Sequence, residues 1–410
     1  MADKKGYEEA IEATRAVLRA FGVWPNRHKI SENWLSRSHF LAPAFLIICF
    51  INIPQTLKII KVWRNLNEVL DILVTANIPS FVALIKLLCV RYNKKVIGLL
   101  LVSMENDWKS LKTLVETRIM WKNGKLGSLI TLVIYTLTCG SYVAYVIMIT
   151  YINVGGSKQE DVITLNESKK LRPLYMRSYF IYDVQKTPVY EIIWIFQFVS
   201  MGVATFTFMA VDSLFAVLMM HLCGQLINLQ ERLKNFTNML GQTKTRNFSY
   251  QLSTIVSRHE QLNRFAKAIE NAFNTMFLVQ MLLSGMVLCL QGYQIVIILT
   301  GRDTVQIIEL LFMVYYTLCF AFSLFVYCYI AEILRIESME IGNAAYHCDW
   351  YDLSAFERRL FILTIIRSKT PFEITAGKFA AFSLEFYCSI LKTSGGYLSV
   401  LLAVQDRLAA

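Results

Sequence analysis

Seven apolar runs long enough to cross a bilayer recur along the chain, separated by stretches in which polar residues return every three or four positions. A span takes about 20 mostly apolar residues, and helix is the open-chain form that satisfies every backbone group within one segment. The runs lie at residues 40–57, 70–90, 126–154, 189–222, 272–299, 307–334 and 379–404. The fourth, fifth and sixth are long enough to continue past the membrane as helix. Beyond the fourth, Leu226, Leu229, Leu233, Phe236 and Leu240, then Leu252, Ile255, Leu262, Phe265 and Ile269, keep helical spacing on two consecutive segments. Leu353, Phe356, Leu360, Phe361, Leu363 and Ile366 repeat the pattern after Trp350-Tyr351. These segments predict a compact helical layer against one membrane face. Residues 7–21 read as a short amphipathic helix and not as a signal peptide.

Composition agrees with a membrane protein. Of 410 residues, 55% are hydrophobic and 17% charged, against roughly 25% charged in soluble domains. Charge placement then sets the orientation. With the N-terminus inside, the cytoplasmic pieces (1–39, 91–125, 223–271 and 335–378) hold 28 of the 41 basic residues and the opposite side 11. Inner loops carry the basic excess, so the reading is N-terminus cytoplasmic, C-terminus extracellular, the reverse of a G-protein-coupled receptor. The division is 1–222 (amphipathic helix and spans one to four), 223–271 (anchor helices), 272–334 (spans five and six), 335–378 (anchor helices) and 379–410 (span seven). The fold class is an all-α membrane protein.

Of the sequons at Asn166, Asn235 and Asn247, this topology exposes only Asn166 to glycosylation. None of the nine cysteines falls in an outer loop, so no extracellular disulfide is expected. No metal-ligand spacing, phosphate loop or nucleophile-base order is recognisable; no cofactor, metal, nucleic-acid partner or enzymatic activity is expected.

Lys86, Glu191, Asp212, Glu332, Glu385 and Lys392 lie in or near spans, where ionisable residues mark functional sites by default. Glu191, Asp212 and Glu332 fall toward span ends, where snorkelling or pairing with basic loops suffices. Aromatic and sulfur-bearing positions instead gather in the second, third, fourth and sixth spans: Phe81, Tyr142, Tyr145, Met148, Trp194, Gln197, Met201, Thr205, Phe312, Tyr315 and Tyr316. Together they predict a mostly apolar cavity for a small greasy ligand. The last span mixes small, polar and branched residues around Gly395-Gly396, and Val400 and Val404, four apart, share one face beside Ala403. Around a symmetry axis such a face makes a hydrophobic constriction; packing through small residues is the other reading.

Several of these residues resemble the insect odorant receptor family along the whole chain. The similarity covers Val17 to Pro25, Ile195-Phe196-Gln197, Asp212-Ser213-Leu214-Phe215, His221 and Gln225. The most specific part is C-terminal: Phe325-Val326-Tyr327-Cys328, Glu332, Ser338, Ala345-Tyr346, Asp349-Trp350-Tyr351, Phe386 to Ser394, and Tyr397. The resemblance implies a subunit of an odorant-gated, non-selective cation channel in the plasma membrane of sensory neuron dendrites. It also implies a heterotetramer with an odorant co-receptor, surrounded by lipid, with a volatile apolar ligand between the second, third, fourth and sixth helices. Val400 then falls at the gate and Val404 one turn outward. The co-receptor carries Gln where Ala403 stands and has a long insertion before the fifth helix that this chain lacks; both imply the odorant-tuned subunit. The alternatives are a gustatory-type channel, whose characteristic ending is not seen, a G-protein-coupled receptor, opposed by the charge count, and a transporter, for which no inverted repeat is evident.

Overall fold

The computed structural model describes residues 11–12, 14–20, 34–110, 113–156, 172, 174–237, 248–300 and 307–409. Asn166, Leu240 and Asn247 lie outside these residues. Among the described residues, seven helices are long and apolar enough to cross a membrane: Phe40–Lys61, Leu66–Tyr92, Leu114–Ile152, Val189–Lys234, Phe248–Thr300, Ile307–Tyr346 and Leu384–Val404. The protein is a multi-pass membrane protein.

The fourth span is the hub. From Met209 to Leu226 its side chains are buried all round, as expected of a helix that is hydrophobic on every face and enclosed by others. It packs against the second, third, fifth and sixth spans. By contrast, Ser394 is the one buried side chain of the seventh span between Leu384 and Val404, whereas 78% of the most apolar stretch of the fourth is buried. The seventh span leans on the fifth through Ser394 Oγ, which donates to the Gly285 carbonyl at 3.4 Å, and through Leu398 beside Gly292.

Both of the first two spans are interrupted. One π turn, Ile48–Asn52, precedes Pro54, and another, Leu73–Asn77, precedes Pro79. Each follows from an Asn-Ile-Pro triplet, at 52–54 and 77–79: proline has no N–H to donate and its ring crowds the carbonyl four residues back, so the helix widens locally. The two interruptions meet, with Ser80 Oγ donating to Asn52 Oδ1 at 2.5 Å and Asn77 Nδ2 to Thr56 Oγ1 at 3.4 Å.

At one end the fourth, fifth and sixth helices extend together, burying Leu226, Leu229, Leu233, Phe236, Leu252, Ile255, Leu262, Phe265 and Ile269 in one core. The third span extends as well, since its helix begins at Leu114, earlier than its apolar run. A helix absent from the hydrophobic-run reading, Lys94–Lys109, joins this layer. Its Asp107 accepts from Arg258 at 2.8 Å and lies 3.1 Å from His221 Nε2. Burial pushes the Asp107 carboxyl up, but His221 and Arg258 outweigh it and hold it below the ordinary carboxylate range. Stability linked to a depressed carboxylate is present above the unfolded-state value and lost as pH falls through the folded one. Arg258 should therefore stay paired at mildly acid pH, and hydrogen exchange in Lys94–Lys109 should quicken only below the ordinary carboxylate range.

The Ala355–Ser368 helix starts at a capping box, with Ser354 Oγ accepting from Glu357 N and Glu357 Oε2 accepting from Ser354 N. Of its apolar pattern, Leu353 and Phe361 are buried whereas Phe356, Leu363 and Ile366 are exposed. The seventh span begins at Leu384, later than its apolar run at Phe379. Residues 375–381 form a two-stranded hairpin instead, turning through Gly377 and Lys378 at φ 59° and 66°. Glycine suits this left-handed position, and a Cβ there would also strike the Leu278 side chain at 2.6 Å.

Candidate functional site

Between the second, third, fourth and sixth spans lies a cavity of about 120 Å³. Six of the eleven predicted residues line it: Tyr142 and Tyr145 from the third span, Met201 and Thr205 from the fourth, Phe312 and Tyr316 from the sixth. Tyr145 and Phe312 have ring centroids 5.7 Å apart, Phe312 stacks on Tyr316 at 5.5 Å, and Tyr316 meets Phe320 edge-on at 5.0 Å. This aromatic wall is fixed by hydrogen bonds to main-chain carbonyls of neighbouring elements. Tyr145 donates to the Tyr175 carbonyl at 3.3 Å, Tyr142 to the Phe198 carbonyl at 3.1 Å, and Tyr316 to the Thr75 carbonyl at 3.4 Å.

The other five predicted residues stand elsewhere. Gln197, fully buried, receives Met176 N at 3.2 Å and donates to Ser178 Oγ at 3.0 Å, so it holds the segment that brings Met176 to the cavity. Trp194 stacks on Phe198 and meets Tyr175 edge-on behind that segment, and Met148 packs in the same cluster. Phe81 is 46% exposed. The Leu73–Asn77 π turn adds a residue to its helical turn, shifting the helix so that Thr75, Ala76, Pro79 and Ser80 face the cavity instead. Those four, with Ile51, were missed by the apolar pattern; the repeated Asn-Ile-Pro is the signal that marks them.

Tyr315 lies between the third and sixth spans, its hydroxyl donating to the Leu137 carbonyl at 3.3 Å. It occupies a notch made by Gly140, where an added Cβ would come within 2.5 Å of the hydroxyl oxygen. Gly140→Ala should break this contact and destabilise the protein by about 1 kcal/mol, the net worth of one hydrogen bond, since the Leu137 carbonyl keeps its bond from Ser141 Oγ. Adding Tyr315→Phe, which removes the clashing oxygen, should recover part of that loss in a thermal-unfolding double-mutant cycle.

One end of the cavity is charged. Asp212 and Tyr327 line it, together with Phe208. Lys86 Nζ, fully buried, donates to Asp212 Oδ1 at 2.5 Å and to the Tyr327 hydroxyl at 3.2 Å, and sits 3.3 Å from the Phe208 ring centroid. Gln280 Nε2 adds a second hydrogen bond to the Tyr327 hydroxyl at 2.8 Å. Asp212 is thus no snorkelling residue: it is buried against a cation from another span. Glu332 and Glu191 do follow the simpler reading, pairing with Arg335 at 3.0 Å and Arg172 at 3.3 Å.

A family model described as 7tm Odorant receptor matches residues 65–395. The chain belongs to this odorant receptor family. Odorant receptor 13a of Drosophila melanogaster is 28% identical over 247 residues, 57% of this chain and 58% of that receptor. Odorant receptor 10 of Aedes albopictus is 25% identical over 224 residues, 55% of this chain and 58% of its own length. The odorant receptor coreceptor of Anopheles gambiae is 30% identical over 151 residues, 37% of this chain and 30% of the coreceptor. These matches span well under two thirds of each relative. The fold is similar to the insect olfactory receptor OR5 of Machilis hrabei solved in complex with eugenol, with a TM-score of 0.75, 17% identity, and 96% of this chain and 97% of that one covered. The odorant receptor family is not an enzyme family.

Proposed function

We propose that this odorant receptor is an odorant-tuned subunit of a ligand-gated, non-selective cation channel, assembled as a heterotetramer with an odorant co-receptor in the plasma membrane of sensory dendrites. The observation that carries the reading is the aromatic cavity between the second, third, fourth and sixth spans, in a member of a receptor family. Its volume is of the order of the ~150 Å³ engineered cavity that takes up benzene, so the ligand is a single-ring or short-chain volatile. Tyr142, Tyr145, Met201, Thr205, Phe312 and Tyr316 contact it directly, and Gln197, Trp194 and Met148 hold that wall in place. Asn166 carries the outer glycan under the N-terminus-inside topology. The seventh helix lines the pore, with Val400 at the gate and Ala403 and Val404 beside it; the exposure of Val400 and Val404 in the single chain suits a face completed by other subunits. Ligand binding shifts the channel open only through tighter binding to the open state than to the closed one.

Whole-cell current tests this in cells expressing the chain with and without an odorant co-receptor, under a panel of single-ring volatiles. Rapid cation current that needs both chains and persists under G-protein blockade is the expected result. A response carried only by second messengers would overturn the channel reading.

A further inference from the structure

We propose that the cavity selects volatiles that donate a hydrogen bond, alcohols and phenols, with the Asp212 carboxylate as their acceptor. This rests on the ligand-site reading above and deepens it. An ionised carboxylate offers about four acceptor positions and no donor; Lys86 Nζ fills one on Oδ1, and the Tyr327 hydroxyl, which itself receives Lys86 and Gln280, gives its hydrogen to a second, which leaves roughly two where Asp212 lines the cavity. The Lys86 ammonium, by contrast, is fully buried and already engaged by Asp212, the Tyr327 hydroxyl and the Phe208 ring, so it offers an incoming ligand nothing.

The hydroxyls around the cavity tilt the balance the same way. Those of Tyr142, Tyr145 and Tyr316 have given their hydrogens to the carbonyls of Phe198, Tyr175 and Thr75. Thr138 Oγ1 donates to the Ile134 carbonyl at 2.7 Å and Ser141 Oγ to the Leu137 carbonyl at 2.9 Å. What these groups present to the cavity is lone pairs. Thr205 and Ser323, which also line it, carry hydroxyls that both donate and accept and so do not discriminate. A ligand with only an acceptor oxygen finds at most a neutral hydroxyl donor, at Thr205 or Ser323. A ligand with an O–H completes a charge-assisted bond, roughly twice as strong as a neutral one.

The test uses the full chain in lipid nanodiscs and reads the ligand-induced rise in unfolding temperature, which follows native-state binding whether or not a channel opens. The probes are the isomers p-cresol, benzyl alcohol and anisole, with p-xylene as the hydrocarbon of equal heavy-atom count. The two donors should stabilise at concentrations at least about tenfold below anisole, the fold-change expected of a hydrogen bond to a charged group. In the double variant Lys86→Met/Asp212→Leu, which removes the carboxylate without stranding the lysine, all four should fall within about threefold of one another. Equal potency of the isomers on the native chain overturns the proposal, and needs no variant to fold. A donor preference that survives in a double variant with a normal ligand-free unfolding temperature overturns it too. No stabilisation by any of the four overturns the ligand-site reading itself.

Discussion

Lys86→Ala is expected to be among the most damaging single substitutions in this receptor, costing about 3–5 kcal/mol because it leaves the Asp212 carboxylate buried and unpaired. The salt bridge joins the second span to the fourth, and through the Tyr327 hydroxyl and Gln280 it reaches the sixth and fifth. A cost of that size approaches the whole stability of many domains. Surface labelling of tagged receptor should therefore fall severalfold, and the unfolding temperature in nanodiscs should drop. Asp212→Ala should do the same by stranding the ammonium. The double change Lys86→Met/Asp212→Leu should restore much of the loss, since a buried pair replaced by apolar residues of similar volume is often neutral. The signature is strong coupling in the double-mutant cycle, with the two single losses failing to add. Wild-type surface levels for Lys86→Ala would show that the pair does not hold the bundle together.

This pair also marks the limit of what the linear pattern conveys. Seven spans, the extended fourth, fifth and sixth helices, and an aromatic cavity in the right four spans are legible because apolar length and 3.6-residue spacing are local properties. Whether a charge at the edge of an apolar run finds lipid headgroups or a partner across the bundle depends on contacts 126 residues apart, Lys86 to Asp212, and nothing local encodes that. Phe81 stands outside the cavity for a different reason: the π turn at Leu73–Asn77 sets the phase of the helix that follows, and residue type alone carries no phase. The start of the seventh span at Leu384 is a case of turn chemistry overriding hydropathy. Gly377 and Lys378 take the left-handed conformation, so the apolar Phe379 to Phe382 belong to the hairpin and its packing and not to the helix.

The second large effect is expected at the proposed gate. In the single chain Val400 is 60% exposed, Val404 50% and Tyr397 64%, on a helix that its own subunit covers only along the side against the fifth and sixth spans. A valine face left bare on one helix is stabilised by more apolar surface, and a closed ring of such faces excludes water and so blocks ions without a physical plug. Val400→Ser keeps the side chain small but lets it hydrate the constriction. It should raise ligand-free cation current by about tenfold or more at unchanged surface expression, the result expected of a dewetting gate made wettable. Val404→Ser, one turn along the same face, should give a smaller leak. If the face served only to pack against a neighbour, the same substitutions would lower assembly and expression with no rise in ligand-free current. Basal current normalised to surface-labelled receptor separates the two cases, because dewetting predicts more current per channel while packing predicts fewer channels.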